Sequence, residues 1–303
     1  MATTVGKEDK ARGGIRPREL EDFFNRRLFH PLSRLLAGAL ARTFVTPNML
    51  SLTGAALVLA AGLSYSGYFG LALPVAVALG LTLHLLWHVV DGADGALARL
   101  TGRASPLGEM IDGSCDYISH AIVYLLLATY LDDQIGLWAY PLGLAAGFSR
   151  VAQANHAETQ RRIYLWRAYG VPWMQQAHES EDQLFRAKGG FWLLARLTRA
   201  YMWLADLLTP TSAELDRAAE EAAHDPAARR RLTRLCRCAS RQPLFLQALL
   251  GANPRTLLLG LSMALGSPLF YFLVEITLLN LLLIVSVRRQ RSCNEELGHR
   301  LTA

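Results

Sequence analysis

Apolar positions fill this chain in long, nearly unbroken blocks. Four lie at roughly 48–69, 71–92, 107–131 and 135–155, and the last fills 253–287. Crossing the hydrocarbon core takes about 20 apolar residues in an α-helix. The blocks therefore predict four spans, and two more in 253–287 if the chain turns at Gly266-Ser267-Pro268. Ahead of them, from Arg18 to about Thr43, the pattern is amphipathic. Leu20, Phe23, Phe24, Leu28, Leu32, Leu35, Leu36 and Leu40 recur at three and four, while Glu19, Asp22, Arg26, Arg27 and Arg34 occupy other faces. That pattern predicts a helix lying in the membrane interface, with Pro31 a candidate break. Thr46-Pro47-Asn48 offers an N-cap for the first span. The predicted fold is all-α: a polytopic membrane helical bundle of about six transmembrane helices with an N-terminal amphipathic interfacial helix.

Composition agrees with a bilayer solvent. The chain is 52% hydrophobic and 18% charged, against about 25% charged in ordinary soluble domains. The charged N-terminus (Lys7, Glu8, Asp9, Lys10, Arg12) lacks the early apolar segment of a cleavable signal. The net charge of +6 could suit nucleic acid, but the arginines flank apolar blocks, which is the positive-inside pattern. No nucleic-acid partner is expected. The 64–70 loop has no basic residue and the 132–134 loop is acidic. The N-terminal region, the Arg99/Arg103 loop, residues 156–242 and Arg288, Arg289 and Arg291 are basic. This alternation predicts both termini inside, in a multi-pass cell (cytoplasmic) membrane protein whose active site faces the cytoplasm. Cys115, Cys236, Cys238 and Cys293 lack metal-site spacing and read as free thiols.

The expected organisation is a tail and amphipathic helix over 1–45 and a membrane domain over 46–303. Within it, 156–242 reads as a long cytoplasmic insertion carrying Trp166, Trp173, Phe191, Trp192 and Trp203. Phe191–Leu208 suits a second interfacial helix, or a span interrupted by Arg196, Arg199 and Asp206. Ala213–Leu235 reads as a charged helix.

Candidate chemistry concentrates in one place. Asp91-Gly-Ala-Asp94-Gly95-Ala-Leu-Ala98-Arg99 is followed after eight residues by Gly108-Glu-Met-Ile-Asp112-Gly-Ser-Cys-Asp116. Asp91 and Asp94 are three apart, and Gly108, Asp112 and Asp116 are four apart, so each set shares a helix face. Two such helices face to face would gather four carboxylates, whose mutual repulsion calls for cations among them. Mg²⁺ or Mn²⁺ suits all-oxygen ligands, and a pair of ions suits in-line displacement at phosphorus.

The spacing D-x2-D-G-x2-A-R-x8-G-x3-D-x3-D resembles the signature of the CDP-alcohol phosphotransferases (CDP-alcohol phosphatidyltransferases) and matches it at every fixed position. The resemblance implies a membrane enzyme that moves a substituted phosphate from a CDP-alcohol donor to an alcohol acceptor in phospholipid biosynthesis, releasing CMP. It implies two metal ions on Asp91, Asp94, Asp112 and Asp116, with Asp116 also the general base. Gly95, Gly108 and Arg99 would meet the cytidine diphosphate. Pro47-Asn48-x-x-Ser51-x-x-Gly54 also resembles a family pattern, with Ser where Thr is common, and adds Asn48 to the donor site. The donor is expected to be CDP-diacylglycerol. A headgroup phosphotransferase using a soluble CDP-alcohol and a lipid hydroxyl is the alternative, and an intramembrane prenyltransferase a further one. The bilayer is a partner, and a homodimer is compatible with the sequence.

Other ionisable residues in apolar context are His84 and His88, which continue the face of Asp91, and His120, one turn past Asp116. His84 and His88 are expected to bond neighbouring spans rather than zinc, whereas His120 suits orienting the Asp116 carboxylate, touching the acceptor or simply packing. Arg150 suits a phosphate or the interface equally, and Glu275 needs a partner or a wet pocket.

Overall fold

The computed structural model describes residues 17–171 and 192–302, and the described residues form helices joined by short turns, with no strand among them. Trp173, Phe191 and the 1–16 tail lie outside the described residues. Five stretches are long and apolar enough to cross a membrane: Pro47–Tyr65, Leu73–Leu100, Leu107–Tyr169, Arg241–Ala264 and Leu269–Leu301. Together they define a helical polytopic membrane protein. Two compact units divide the chain. The first comprises Met1–Phe148 and Asn253–Val274, the second Ser149–Ala252 and Glu275–Ala303.

In the first unit the amphipathic segment is not one helix. A turn at Arg18–Leu20 and a π-helical stretch at Asn25–Phe29 precede α1, His30–Leu40. Pro31 sits in the first turn of α1, where a missing N–H costs nothing, so the irregularity falls just before it. Phe23, Phe24, Leu28, Leu32 and Leu35 are exposed, as an interfacial helix requires. Ser33 ties α1 down by donating to the Val89 carbonyl at 2.8 Å.

Helix α2, Pro47–Tyr65, starts where the sequence predicts, with the Thr46 hydroxyl accepting from Met49 N. Helix α3, Leu73–Leu100, runs further than the predicted 71–92 and ends at Gly102, φ +67°. Helix α4, Pro106–Ile135, is capped by Ser105, which accepts from Gly108 N at 3.1 Å. Helices α1 and α2 pack on α3, and α2 also packs on α4. Close approach is bought by small residues: a Cβ on Gly62 would lie 2.8 Å from Val123, and one on Gly80 2.7 Å from the Tyr65 ring.

Gly136, φ +65°, ends α4, and α5, Ala139–Tyr169, follows. Helix α5 returns antiparallel: Gly143 meets Ala128, and four residues on, Gly147 meets Tyr124. The stretch Leu107–Tyr169 is thus two helices, α4 and α5, joined at Gly136.

The sequence ends the fourth span near 155 because Gln153, Asn155, His156 and Glu158 look too polar to continue it. The helix instead runs to Tyr169. The reason lies in the second unit. Its helices are α6, Trp192–Leu208; α7, Ala213–Glu221; α8, Pro226–Ala239; α9, Arg241–Leu249; and, after α10, Ala252–Ala264, and α11, Leu269–Ile276, the last helix α12, Leu278–Thr302. Gln153 bonds Asn280 at 2.8 Å, His156 bonds Ser286 at 3.0 Å, and Gln160 bonds Gln290 at 3.3 Å. Arg167 donates to Asn294 at 2.9 Å and to Asp216 at 2.8 Å. One polar stripe of α5 is satisfied by a matching stripe of α12, so neither needs water.

Other boundaries also shift. The predicted helix Ala213–Leu235 is two helices, because Asp225 and Pro226 start a new one. Helix α6 falls short of the span length and is not among the five stretches. The last two apolar stretches extend beyond 253–287 in both directions. The predicted turn at Gly266-Ser267-Pro268 is present: Gly266 has φ +86°, and its carbonyl accepts from Gln134.

Candidate active site

The signature lies wholly within the first unit. Helix α3 carries Asp91, Asp94, Gly95 and Arg99, and α4 carries Gly108, Asp112 and Asp116. The two helices bring their acidic faces together. The Asp94 and Asp112 side chains share a hydrogen bond, and Asp112 lies in the field of Asp91, Asp94 and Asp116. Two carboxylates can share such a bond only if a proton sits between them, and a divalent cation is the usual replacement for that proton.

Asp94 is the most enclosed of the four, 5% exposed, while Asp91, Asp112 and Asp116 are half-buried. Its carboxylate is held from three sides. Ser51 Oγ on α2 donates to Oδ2 at 2.7 Å, Gly95 N donates to Oδ1, and the Arg99 guanidinium adds its charge. Arg99 itself is exposed and folds back over Gly95, where a Cβ would stand 3.4 Å from its Nη1. Asn48, exposed at the start of α2, faces Gly108: a Cβ there would lie 3.7 Å from Asn48 Oδ1. All eight predicted site residues therefore fall in one region where α2, α3 and α4 meet.

Asp116 has its own support. Trp87 Nε1, on α3 one turn before Asp91, donates to Asp116 Oδ1 at 3.0 Å. The Trp87 ring fits against Gly54 of α2, where a Cβ would lie 3.3 Å away. His120 Nδ1 bonds the Asp116 backbone carbonyl at 2.8 Å. The other histidines bridge spans: His84 Nε2 lies 3.4 Å from His120 Nε2, and His88 bonds Thr256 on α10 at 2.9 Å and stacks on Phe29.

Ser51 and Trp87 are the residues that the site reading missed. Ser51 appears in the Asn48 pattern, one turn in from the helix start. Trp87 had a weaker signal: a tryptophan inside an apolar block, i−4 to Asp91, with an N–H that burial obliges to find an acceptor.

Among the described residues, no group of three His, Cys, Asp or Glu side chains is closed into metal-ligating geometry. The donor set nonetheless fits a hard divalent ion. It is carboxylate only, with a cationic arginine outside it and neutral donors fixing two of its members.

A carboxylate cluster between membrane-spanning helices, with small residues beside it, defines the class: a helical membrane protein with an acidic site between its helices. The CDP-alcohol phosphatidyltransferase family model matches residues 44–209, more than half of the chain, and the chain belongs to that family. It is 41% identical over 97 residues to an archaetidylinositol phosphate synthase of Aeropyrum pernix, covering 30% of this chain and 45% of that one. A second protein of that name, from Pyrococcus horikoshii, is 34% identical over 98 residues, 32% of this chain and 48% of that one. An uncharacterized class-I CDP-alcohol phosphatidyltransferase family protein of Dictyostelium discoideum is 34% identical over 97 residues, 30% of this chain and 24% of that one. The chain thus spans less than half the length of each of these curated relatives.

Proposed function

We propose that the protein transfers a phosphatidyl-type group from a CDP-linked lipid to a small polar alcohol and releases CMP. The observation that carries this reading is the Asp94–Asp112 pair between α3 and α4, with Asp91 and Asp116 in its field. Asp91, Asp94, Asp112 and Asp116 would hold two Mg²⁺ or Mn²⁺ ions, whose charge would offset that of the diphosphate. Ser51 fixes the orientation of Asp94, and Trp87 that of Asp116. Arg99, exposed at the rim, meets the donor diphosphate, and Asn48 and Gly108 leave room for its nucleoside.

The reaction balances within this site. The acceptor oxygen forms a bond to the donor's lipid-side phosphorus as the bond from that phosphorus to CMP breaks. Asp116 takes the acceptor's proton, a role typically worth 10²–10⁴-fold. Two of the relatives are named archaetidylinositol phosphate synthases. Their names favour a lipid-linked donor and a polyol phosphate acceptor over a soluble CDP-alcohol and a lipid hydroxyl.

The test is CMP release by the full-length protein in lipid, with CDP-diacylglycerol or CDP-choline crossed against inositol phosphate, inositol, glycerol phosphate, serine and diacylglycerol. CDP-diacylglycerol with one polar acceptor should release CMP. Release from CDP-choline with diacylglycerol alone would establish the other arrangement, and no release from any pair would overturn the transferase reading.

The site faces the cytoplasm in this reading, with residues 1–45 and the 156–242 insertion on that side of a cell-membrane protein. Reporters fused after residues 70, 134 and 267 should mark the far side, and those after 103 and 220 the cytoplasm. A cytoplasmic signal at 134 contradicts this orientation.

A further inference from the structure

Helix α8 carries a row of cations that no part of the transfer chemistry uses. Arg230, Arg234 and Arg237 are spaced i, i+4, i+7, and Arg241, the first residue of α9, continues the series; all four are exposed. Like charges at this spacing repel one another along a helix, and the chain has no acidic residue between Asp225 and Glu275. The opposite face explains why the helix stays in place. Leu232 and Cys236 are buried, α8 packs on α12, and Arg229 turns inward to the Ala219, Trp166 and Arg167 carbonyls. Arg230, Arg234 and Arg241 are therefore presented outward by a packed, apolar back, while Arg237 donates to the Tyr169 hydroxyl at 2.9 and 2.7 Å and lies over its ring.

Two further observations say what it faces. Arg241 opens the stretch Arg241–Ala264, which is long and apolar enough to cross a membrane. One turn later Phe245 is 64% exposed, so an exposed aromatic side chain stands beside the last arginine of the row. Basic residues beside a span sit at headgroup depth, and aromatic side chains mark the same boundary. We propose that the α8–α9 arginine row is a docking surface for the anionic phospholipids of the leaflet it adjoins. It lies beyond residue 209, where the family match ends, so it is a property of this chain's insertion rather than of the shared catalytic region. The proposal does not depend on the transferase reading.

Cys238 supplies the probe. It is exposed among these arginines, whereas Cys236 and Cys293 are buried and Cys115 is half-buried. Burial also pushes the Cys236 thiol up to about 12, leaving it almost without reactive thiolate at neutral pH. The full-length Cys115→Ser protein, labelled at Cys238 with a bimane fluorophore, is placed in phosphatidylcholine nanodiscs with or without phosphatidylglycerol. Quenching by uncharged acrylamide then reads docking. Phosphatidylglycerol should protect the label severalfold, and about 1 M salt should abolish the protection, since the Debye length there is about 3 Å. The triple change Arg230→Gln, Arg234→Gln, Arg241→Gln should weaken docking on the order of 100-fold, while the same three sites as Lys keep it. Equal quenching in both disc types overturns the proposal. So does protection that ignores salt, or that an oligonucleotide or acidic peptide confers in neutral discs while phosphatidylglycerol does not. The salt titration needs no substitution in the row, so a poorly folded Gln variant leaves the test intact.

Discussion

Trp87 on α3 donates its indole N–H to Oδ1 of Asp116 on α4 across 3.0 Å. A 3%-exposed tryptophan thereby fixes the rotamer of the one carboxylate that lies a turn deeper than Asp112, and the contact ties the two signature-bearing helices together. A hydrogen bond to a charged group is worth about 1.5–3 kcal/mol. Trp87→Phe keeps most of the ring packing against Gly54 and removes the donor. We expect turnover to fall on the order of tenfold or more, with donor affinity much less affected. Steady-state kinetics beside calorimetric donor binding separates the two. An unchanged turnover number would show that Asp116 needs no such anchor.

Ser51 makes a parallel prediction for Asp94. Its hydroxyl is the only side-chain donor described on that carboxylate from α2. Groups that orient a metal ligand commonly contribute 10–100-fold in metal affinity. Ser51→Ala should raise the Mg²⁺ concentration for half-maximal activity by about that factor, and Ser51→Thr, which retains the hydroxyl, should restore it. If the alanine variant needs no more Mg²⁺ than the parent, the Ser51 contact is structural only.

The carboxylates and their helix faces were legible because fixed spacings on helices dictate which side chains converge. The cap at Thr46 and the turn at Gly266 follow from local chemistry in the same way. Two things were not legible. The polar stripe of α5 looked like the end of a span, because its satisfaction depends on Asn280, Ser286, Gln290 and Asn294, more than 120 residues away in sequence. Trp87 carried no assignment in the sequence, because its acceptor lies on another helix at a distance that no periodicity encodes. His120, placed by its spacing beside Asp116, has its Nδ1 2.8 Å from the Asp116 backbone carbonyl.

Helix packing in the first unit offers a stability test away from the chemistry. A Cβ at Gly80 would stand 2.7, 2.8 and 2.9 Å from three carbons of the Tyr65 ring, and Tyr65 is 1% exposed, so it has little room to yield. Overpacking of this kind typically costs about 1–3 kcal/mol. Gly80→Ala should lower the thermal midpoint in detergent, and pairing it with Tyr65→Phe should recover little, since the clash is with ring carbons rather than the hydroxyl. A midpoint equal to that of the parent would mean that α2 and α3 are not packed as closely as Gly80 and Tyr65 indicate.

The most direct test of the account is the initial rate of CMP release from CDP-diacylglycerol and a polyol phosphate as Mg²⁺ is titrated, for the parent and for Asp112→Asn, each checked by thermal denaturation to be folded. Asp112 bonds Asp94 and lies in the field of the other two carboxylates, so its neutral isostere keeps the shape and removes the central charge. The account predicts Mg²⁺-dependent release by the parent and a loss of more than about tenfold in the variant at every Mg²⁺ concentration. A folded Asp112→Asn protein that retains more than about a tenth of the parent's rate would contradict it.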